Sequence, residues 1–248
     1  MPEVSASRYR VDAGWEHVPH LDEATKAKLL AGTPSHLRDA RSKGIPSLGS
    51  GAIYPISQDE FTCDPFAIPP HWWRGYGLDV GWNRTAGIFG AWDKDSDVIY
   101  LNSEHYRGQA EPSIHAEAIK ARGEWLTGAI DPAANGRSQK DGTQLIEDYI
   151  ALGLNLEPAD NSVEAGLLQV WQLLSTGRLK VFKTLRNWLS EHMVYRRDEN
   201  GKIVKKNDHL LDGTRYLIME RHTVFRPPPI KLAPSDTDFV IADSRGGY

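Results

Sequence analysis

Three short acidic segments contain the residue types from which a divalent-metal site is built. They are Gly77-Leu78-Asp79-Val80-Gly81-Trp82, Thr127-Gly128-Ala129-Ile130-Asp131-Pro132 and Asn207-Asp208-His209-Leu210-Leu211-Asp212. In the first two, an aspartate closes a short run of strand character and a turn-forming residue follows. The third opens an apolar, helix-like stretch. Carboxylates set at strand ends and at a helix start can converge on one rim of a sheet. The usual reason to gather such charge is to hold hard divalent cations. The chemistry this set implies is metal-dependent attack on a phosphodiester.

Each acid also has a plainer reading. Asp79 sits between Leu78 and Val80, where a carboxylate is costly unless a metal, a cation or hydrogen bonds compensate it. As an alternative it caps the Gly81-Trp82-Asn83 turn. Asp131 marks a strand end, a place where loops carry function, and by itself reads as a turn residue. Asp208 suits a helix N-cap. Asp212 follows one turn later, with His209 three residues before it on the same helix face. As a group the acids fit two ions about 3.5–4 Å apart that activate a water and stabilise the leaving oxygen. Asp79, on the most fixed strand, is the candidate bridge, and Asp131 and Asp212 would each hold one ion. His209 would position the water or a phosphate oxygen, or transfer a proton.

The chain of 248 residues is 40% hydrophobic and 25% charged, enough for one large domain or one domain with arms. Its single cysteine, Cys63, excludes an internal disulfide framework and fits a reducing compartment. No stretch approaches the ~20 apolar residues that span a bilayer. Met1-Pro2-Glu3-Val4-Ser5 lacks the character of a signal peptide, so a soluble, intracellular protein with no membrane partner is expected. A net charge of −4 does not mark a nucleic-acid binder, but basic residues gather upstream of the third acidic segment. Arg196, Arg197, Lys202, Lys205 and Lys206 form either a solvated surface or a phosphate-tracking one.

The elements that must position these residues can be read from the pattern. Residues 1–70 read as an N-terminal arm, with a short helix at 21–30 and a linker or surface loop at 44–70. Strands are expected at 76–80, 86–92 and 98–106, joined by short polar connectors into an antiparallel meander. Helices at 112–123, 143–152 and 163–175 then alternate with strands at 125–130, 154–157 and 179–182, and a further helix runs through His192. Asn200-Gly201 lies between alternating runs at 193–197 and 202–205, which predicts a basic β-hairpin. A last helix is expected from Asp208 to about Arg221. The domain spans 71–225, and a proline-rich tail covers 226–248. This gives an α/β mixed sheet flanked by helices, in the strand order of a ribonuclease H-like fold.

The segments Gly77-Leu78-Asp79-Val80-Gly81, Ile130-Asp131-Pro132-Ala133 and Asn207-Asp208-His209-Leu210-Leu211-Asp212-Gly213-Thr214-Arg215-Tyr216 together resemble the nuclease domain of tailed-bacteriophage large terminases. The last is the most specific: Asp-His, an aspartate three residues on, a small residue, then Arg-Tyr. The basic hairpin and the stretches Pro19-His20-Leu21-Asp22 and Gly51-Ala52-Ile53-Tyr54-Pro55 are also similar, so the resemblance covers about residues 15–222. It implies an Mg²⁺- or Mn²⁺-dependent endonuclease that cuts concatemeric viral DNA during packaging. Asp79, Asp131 and Asp212 match its metal triad, His209 the nearby histidine, and Asp208 an auxiliary metal-binding acid. Implied partners are double-stranded DNA, the small terminase subunit, the portal and further large-subunit copies, in the host cytoplasm and transiently at the procapsid. The sequence has no Gly-x-x-x-x-Gly-Lys-Ser/Thr loop, so the packaging motor is expected to lie outside it.

Two other classes stay open. Asp79-Val80-Gly81-Trp82-Asn83-Arg84-Thr85 also resembles the first phosphate loop of actin-like ATPases and sugar kinases. A catalytically silent DNA- or partner-binding module, with the acids as caps and turns, is the other.

Overall fold

Seven strands form one mixed sheet in the order β1-β7-β4-β3-β2-β5-β6. They are β1 (Thr62–Cys63), β2 (Trp73–Asp79), β3 (Thr85–Asp93), β4 (Val98–Arg107), β5 (Thr127–Ile130), β6 (Asn155–Pro158) and β7 (Leu179–Phe182). The structure is a computed structural model and describes residues 3–5, 8–9, 14–18, 20–33, 38, 41–43, 51–131 and 145–229. Strands β2, β3 and β4 make the expected antiparallel meander. The remaining strands add in parallel, β5 and β6 on one side and β7 and β1 on the other. The helices are α1 (Glu23–Ala31), α2 (Gln58–Phe61), α3 (Pro112–Lys120), α4 (Leu145–Ala151), α5 (Val163–Ser175), α6 (Arg186–Val194), α7 (His209–Met219) and α8 (Arg221–Val224).

The twofold alternation of a strand decides which side chains meet which layer. Tyr76 and Leu78 of β2 pack with Phe89, Ile130 and the apolar sides of α3 and α4. Gly75, Gly77 and Asp79 therefore face the opposite layer, where Ile88 and Ala129 meet α5, α6 and α7. The two glycines let that layer come close. A Cβ on Gly75 would lie 3.0 Å from the Val224 carbonyl oxygen, and one on Gly77 would lie 1.9 Å from that of Gly213. Helix α7 thus crosses β2 almost backbone to backbone, which sets its N-terminus beside Asp79.

Some elements differ from expectation. Tyr54, Ile56 and Phe61, within the stretch read as linker and surface loop, are buried in the main core. There Phe61 meets Trp188 edge-on. Met193 and Val194, expected in the hairpin, are the last residues of α6. The hairpin shrinks to one bridge, Arg197↔Ile203, with the Val204 amide donating to the Arg196 carbonyl, and on its other side Arg196 bridges to Ala52. The final helix breaks at Glu220 rather than running to Arg221. The expected structure of 132–144 and of the tail beyond 229 lies outside the described residues.

Between β4 and α3, His105 Nε2 and His115 Nδ1 lie 2.9 Å apart in the interior. Burial, then the neighbouring His115, Arg122 and Arg107, pushes the His105 pKa down to about 4. Its unperturbed value near 6.5 applies in the unfolded chain, which therefore binds more protons between those limits. Stability is accordingly expected to be full above pH 6.5 and to fall as the pH drops toward 4. Urea midpoints across this range test the point: His105→Gln should flatten the slope, and an unchanged slope would contradict it.

Candidate active site

The rim where β2, β5 and α7 meet gathers the acids. Residues Leu78 and Ile130 are in register on parallel strands, and the Asp131 amide donates to the Leu78 carbonyl at 3.0 Å. Asp79 and Asp131 thus leave neighbouring strands at the same end. His209 opens α7 with Nδ1 2.8 Å from Asp79 Oδ2. That hydrogen bond raises the His209 pKa, favouring the imidazolium. Burial pushes the Asp79 carboxyl up; the His209 bond opposes this, while the Asp212 and Asp131 charges add to it.

Asp212 is buried one helical turn further along. Its Oδ1 accepts from the Arg215 guanidinium at 3.2 Å, and its Oδ2 lies 2.8 Å from Lys205 Nζ. The same ammonium is 3.5 Å from Asp208 Oδ2. Burial, then the Asp212 charge, raises the Asp208 carboxyl. Lys205, expected on a DNA-facing surface, keeps a side chain 60% exposed and reaches over two acids from the mouth of the cleft. Burial works against its charge, yet Asp212 and Asp208 hold its pKa above the usual lysine range. Lys205, Asp208, His209 and Asp212 line an open cleft of about 410 Å³ with Asp79 and the Val80–Arg84 loop. Asp131 flanks Asp79 and is not among the lining residues.

Of the other basic residues, Arg197 is held by Glu164 at 2.6 Å and by the Gly201 carbonyl at 2.9 Å. Arg196, Lys202 and Lys206 are exposed.

Asp208 occupies the N-cap position of α7, but its side chain makes no capping bond. Glu191 of α6 does that work from outside the helix. Its carboxylate accepts from the Leu210 amide at 2.7 Å, the Leu211 amide at 3.3 Å and the Tyr106 hydroxyl at 2.8 Å. Glu104 of β4 serves α6 likewise, accepting from the Asn187 and Trp188 amides at 3.0 Å each. Each carboxylate answers orphan donors at a helix start. The relay from β4 through α6 fixes where α7 begins, and leaves Asp208 to face Lys205. Sequence reasoning missed Glu191; its one signal is an acid three residues beyond Trp188, on the buried side of α6. Glu191→Ala should cost roughly 1–3 kcal/mol, the penalty of buried donors left unpaired. A urea midpoint unchanged from wild type would contradict the relay.

The donor set fits a hard divalent cation. It is all carboxylate oxygen, and Asp208 Oδ2 is buried without a hydrogen bond. Among the described residues no three metal-binding side chains are drawn tightly round one point. Lys205 and Arg215 supply the counter-charge to these acids in this arrangement.

Comparison with known proteins places this geometry. A family model described as the terminase RNaseH-like domain matches residues 76–221. The large terminase subunits of Enterobacteria phage LP7 and Salmonella phage P22 are each 38% identical over 216 residues, 82% of this chain. Those residues cover 44% and 42% of the two relatives, so the chain spans less than half their length. The solved nuclease domain of the P22 large terminase is 35% identical, with a TM-score of 0.66 over 73% of this chain and 96% of that one. The acidic rim therefore sits on a shared architecture, and the chain belongs to the terminase RNaseH-like domain family of phage large terminase subunits.

Proposed function

We propose that this chain is a divalent-metal-dependent DNA endonuclease that cuts concatemeric viral DNA during genome packaging. The observation that carries the reading is the meeting of Asp79, Asp212 and His209 at one rim, with Asp131 on the adjoining strand. Asp79 would bridge two Mg²⁺ or Mn²⁺ ions, with Asp131 and Asp212 as flanking ligands and Asp208 as an auxiliary acid. When bound, the ions supply a lowered pKa for a nucleophilic water and neutralise charge on the leaving oxygen.

The protein's own groups do the rest. His209, whose protonated form the Asp79 bond favours, would hydrogen-bond a phosphate oxygen or pass a proton at Nε2. Arg215 fixes the Asp212 carboxylate from behind, so that one oxygen stays turned to the cleft. Arg196, Lys202 and Lys206 contact DNA phosphates; Lys205 joins them once released from Asp212, and Arg197 braces the turn through Glu164.

The domain limits read from the sequence are 71–225, with 1–70 as arm and 226–248 as tail; the burial of Tyr54, Ile56 and Phe61 and the pairing of β1 move the start of the domain back to about residue 54. The partners that follow are duplex DNA, the small subunit, the portal and other large-subunit copies, in the host cytoplasm. The test is supercoiled plasmid incubated with Mg²⁺ or Mn²⁺, with and without EDTA. Metal-dependent nicking and linearisation are expected. Cutting that persists in EDTA, or nucleotide-dependent stabilisation with no cutting, would overturn the reading.

A further inference from the structure

Among the described residues, Trp82 is the most exposed large hydrophobic side chain, at 64%, and it stands in the wall of the acidic cleft. Its backbone, by contrast, is closely held. The Gln109 amide donates to the Trp82 carbonyl at 2.8 Å, and Thr85 Oγ1 donates to the Gly81 carbonyl at 3.1 Å. The next carbonyl, that of Asn83, rests on Gly108, where a Cβ would come within 2.0 Å of its oxygen. The loop is thus strapped down on both sides of an indole that packs on little. Two residues on, the Arg84 guanidinium lies 4.3 Å over the Tyr106 ring. Among the described residues the ion pairs of the cleft run through Lys205, His209 and Arg215, which leaves Arg84 for an incoming anion.

An exposed aromatic face on a held backbone, an oriented guanidinium and a phosphodiester-directed acidic rim line one cleft. We propose that Trp82 and Arg84 make a nucleotide-positioning subsite: Trp82 stacks on one unpaired base while Arg84 takes the adjoining phosphate. The proposal rests on the nuclease reading and names a feature of its substrate. A base inside an intact duplex has both faces covered by its neighbours, so only a base out of the stack can lie on Trp82. The strand to be cut therefore enters best where it is unpaired or opened.

The test uses two DNA duplexes that carry 2-aminopurine at one position, either in a one-base bulge or fully paired. Binding with Ca²⁺ reads stacking as fluorescence quenching, without cutting. Cleavage with Mg²⁺ reads rate. Wild type should quench the bulged probe and cut it about tenfold faster than the paired one, the scale of one base–aromatic stack. Trp82→Ala should lose both the quenching and the preference, and Trp82→Phe should retain most of each. Arg84→Gln should weaken binding of both probes and lessen its salt dependence. Equal quenching and equal preference in wild type and Trp82→Ala would overturn the subsite. If wild type cuts neither probe, the nuclease reading fails, while the quenching arm still decides the role of Trp82.

Discussion

Asp79→Asn should lower the rate of plasmid cutting by about 10³-fold while leaving the thermal melt within a few degrees of wild type. Asparagine has the shape of aspartate but no charge, so a bridging ligand is lost without opening a cavity. Clamping charge on a transferring phosphoryl group is worth several kcal/mol, and each 1.36 kcal/mol is tenfold in rate. The fold should tolerate the change because burial already raises the Asp79 carboxyl, which marks its charge as costly there. The His209 bond to Asp79 survives in weaker form, with the amide oxygen as acceptor. Asp212→Asn should show a comparable loss of cutting. Its melt should drop further, since Lys205 and Arg215 would both lose a charged partner. Cutting within tenfold of wild type in Asp79→Asn would remove this residue from the site.

Gly77→Ala is the largest stability effect to be expected. The added methyl would fall 1.9 Å from the Gly213 carbonyl oxygen and 3.1 Å from Leu217 Cβ. Both neighbours belong to α7, so no side-chain rotation relieves the clash and the helix must move. Overpacking costs about 1–3 kcal/mol where side chains can adjust, and more where backbone must shift. A loss of 3 kcal/mol or more is expected, read as the urea midpoint. Because α7 carries His209 and Asp212, cutting should fall as well. Gly213→Ala is the control: its Cβ would sit 3.3 Å from the Gly77 carbonyl and 3.5 Å from Ile88, a contact that small shifts absorb. Equal midpoints for the two variants would contradict the close crossing.

The sequence made these features legible where local pattern and three-dimensional neighbourhood coincide. The meander followed from alternation and short connectors. Asp79 and Asp131 end strands that the βαβ-type order makes parallel neighbours, so their meeting followed from topology. His209 and Asp212 share a helix face by spacing alone. Long-range pairings were not legible. That Lys205 pairs with Asp212 depends on where α7 begins, which Glu191 sets from a helix that ends fifteen residues before it. Asp208 fits an N-cap by type, and only the presence of a better-placed carboxylate excludes that use. Phe61 looked like loop because its flanks are rich in glycine and proline; the pocket it fills belongs to Trp188 and His192, far along the chain.

Whether these acids hold the ions that cut DNA can be read from anomalous diffraction by crystals grown in Mn²⁺. Two anomalous peaks are expected between Asp79, Asp131 and Asp212, with the Lys205 ammonium moved off Asp212. Absence of manganese from the cleft at concentrations that support cutting, with Lys205 still paired to Asp212, would contradict that assignment.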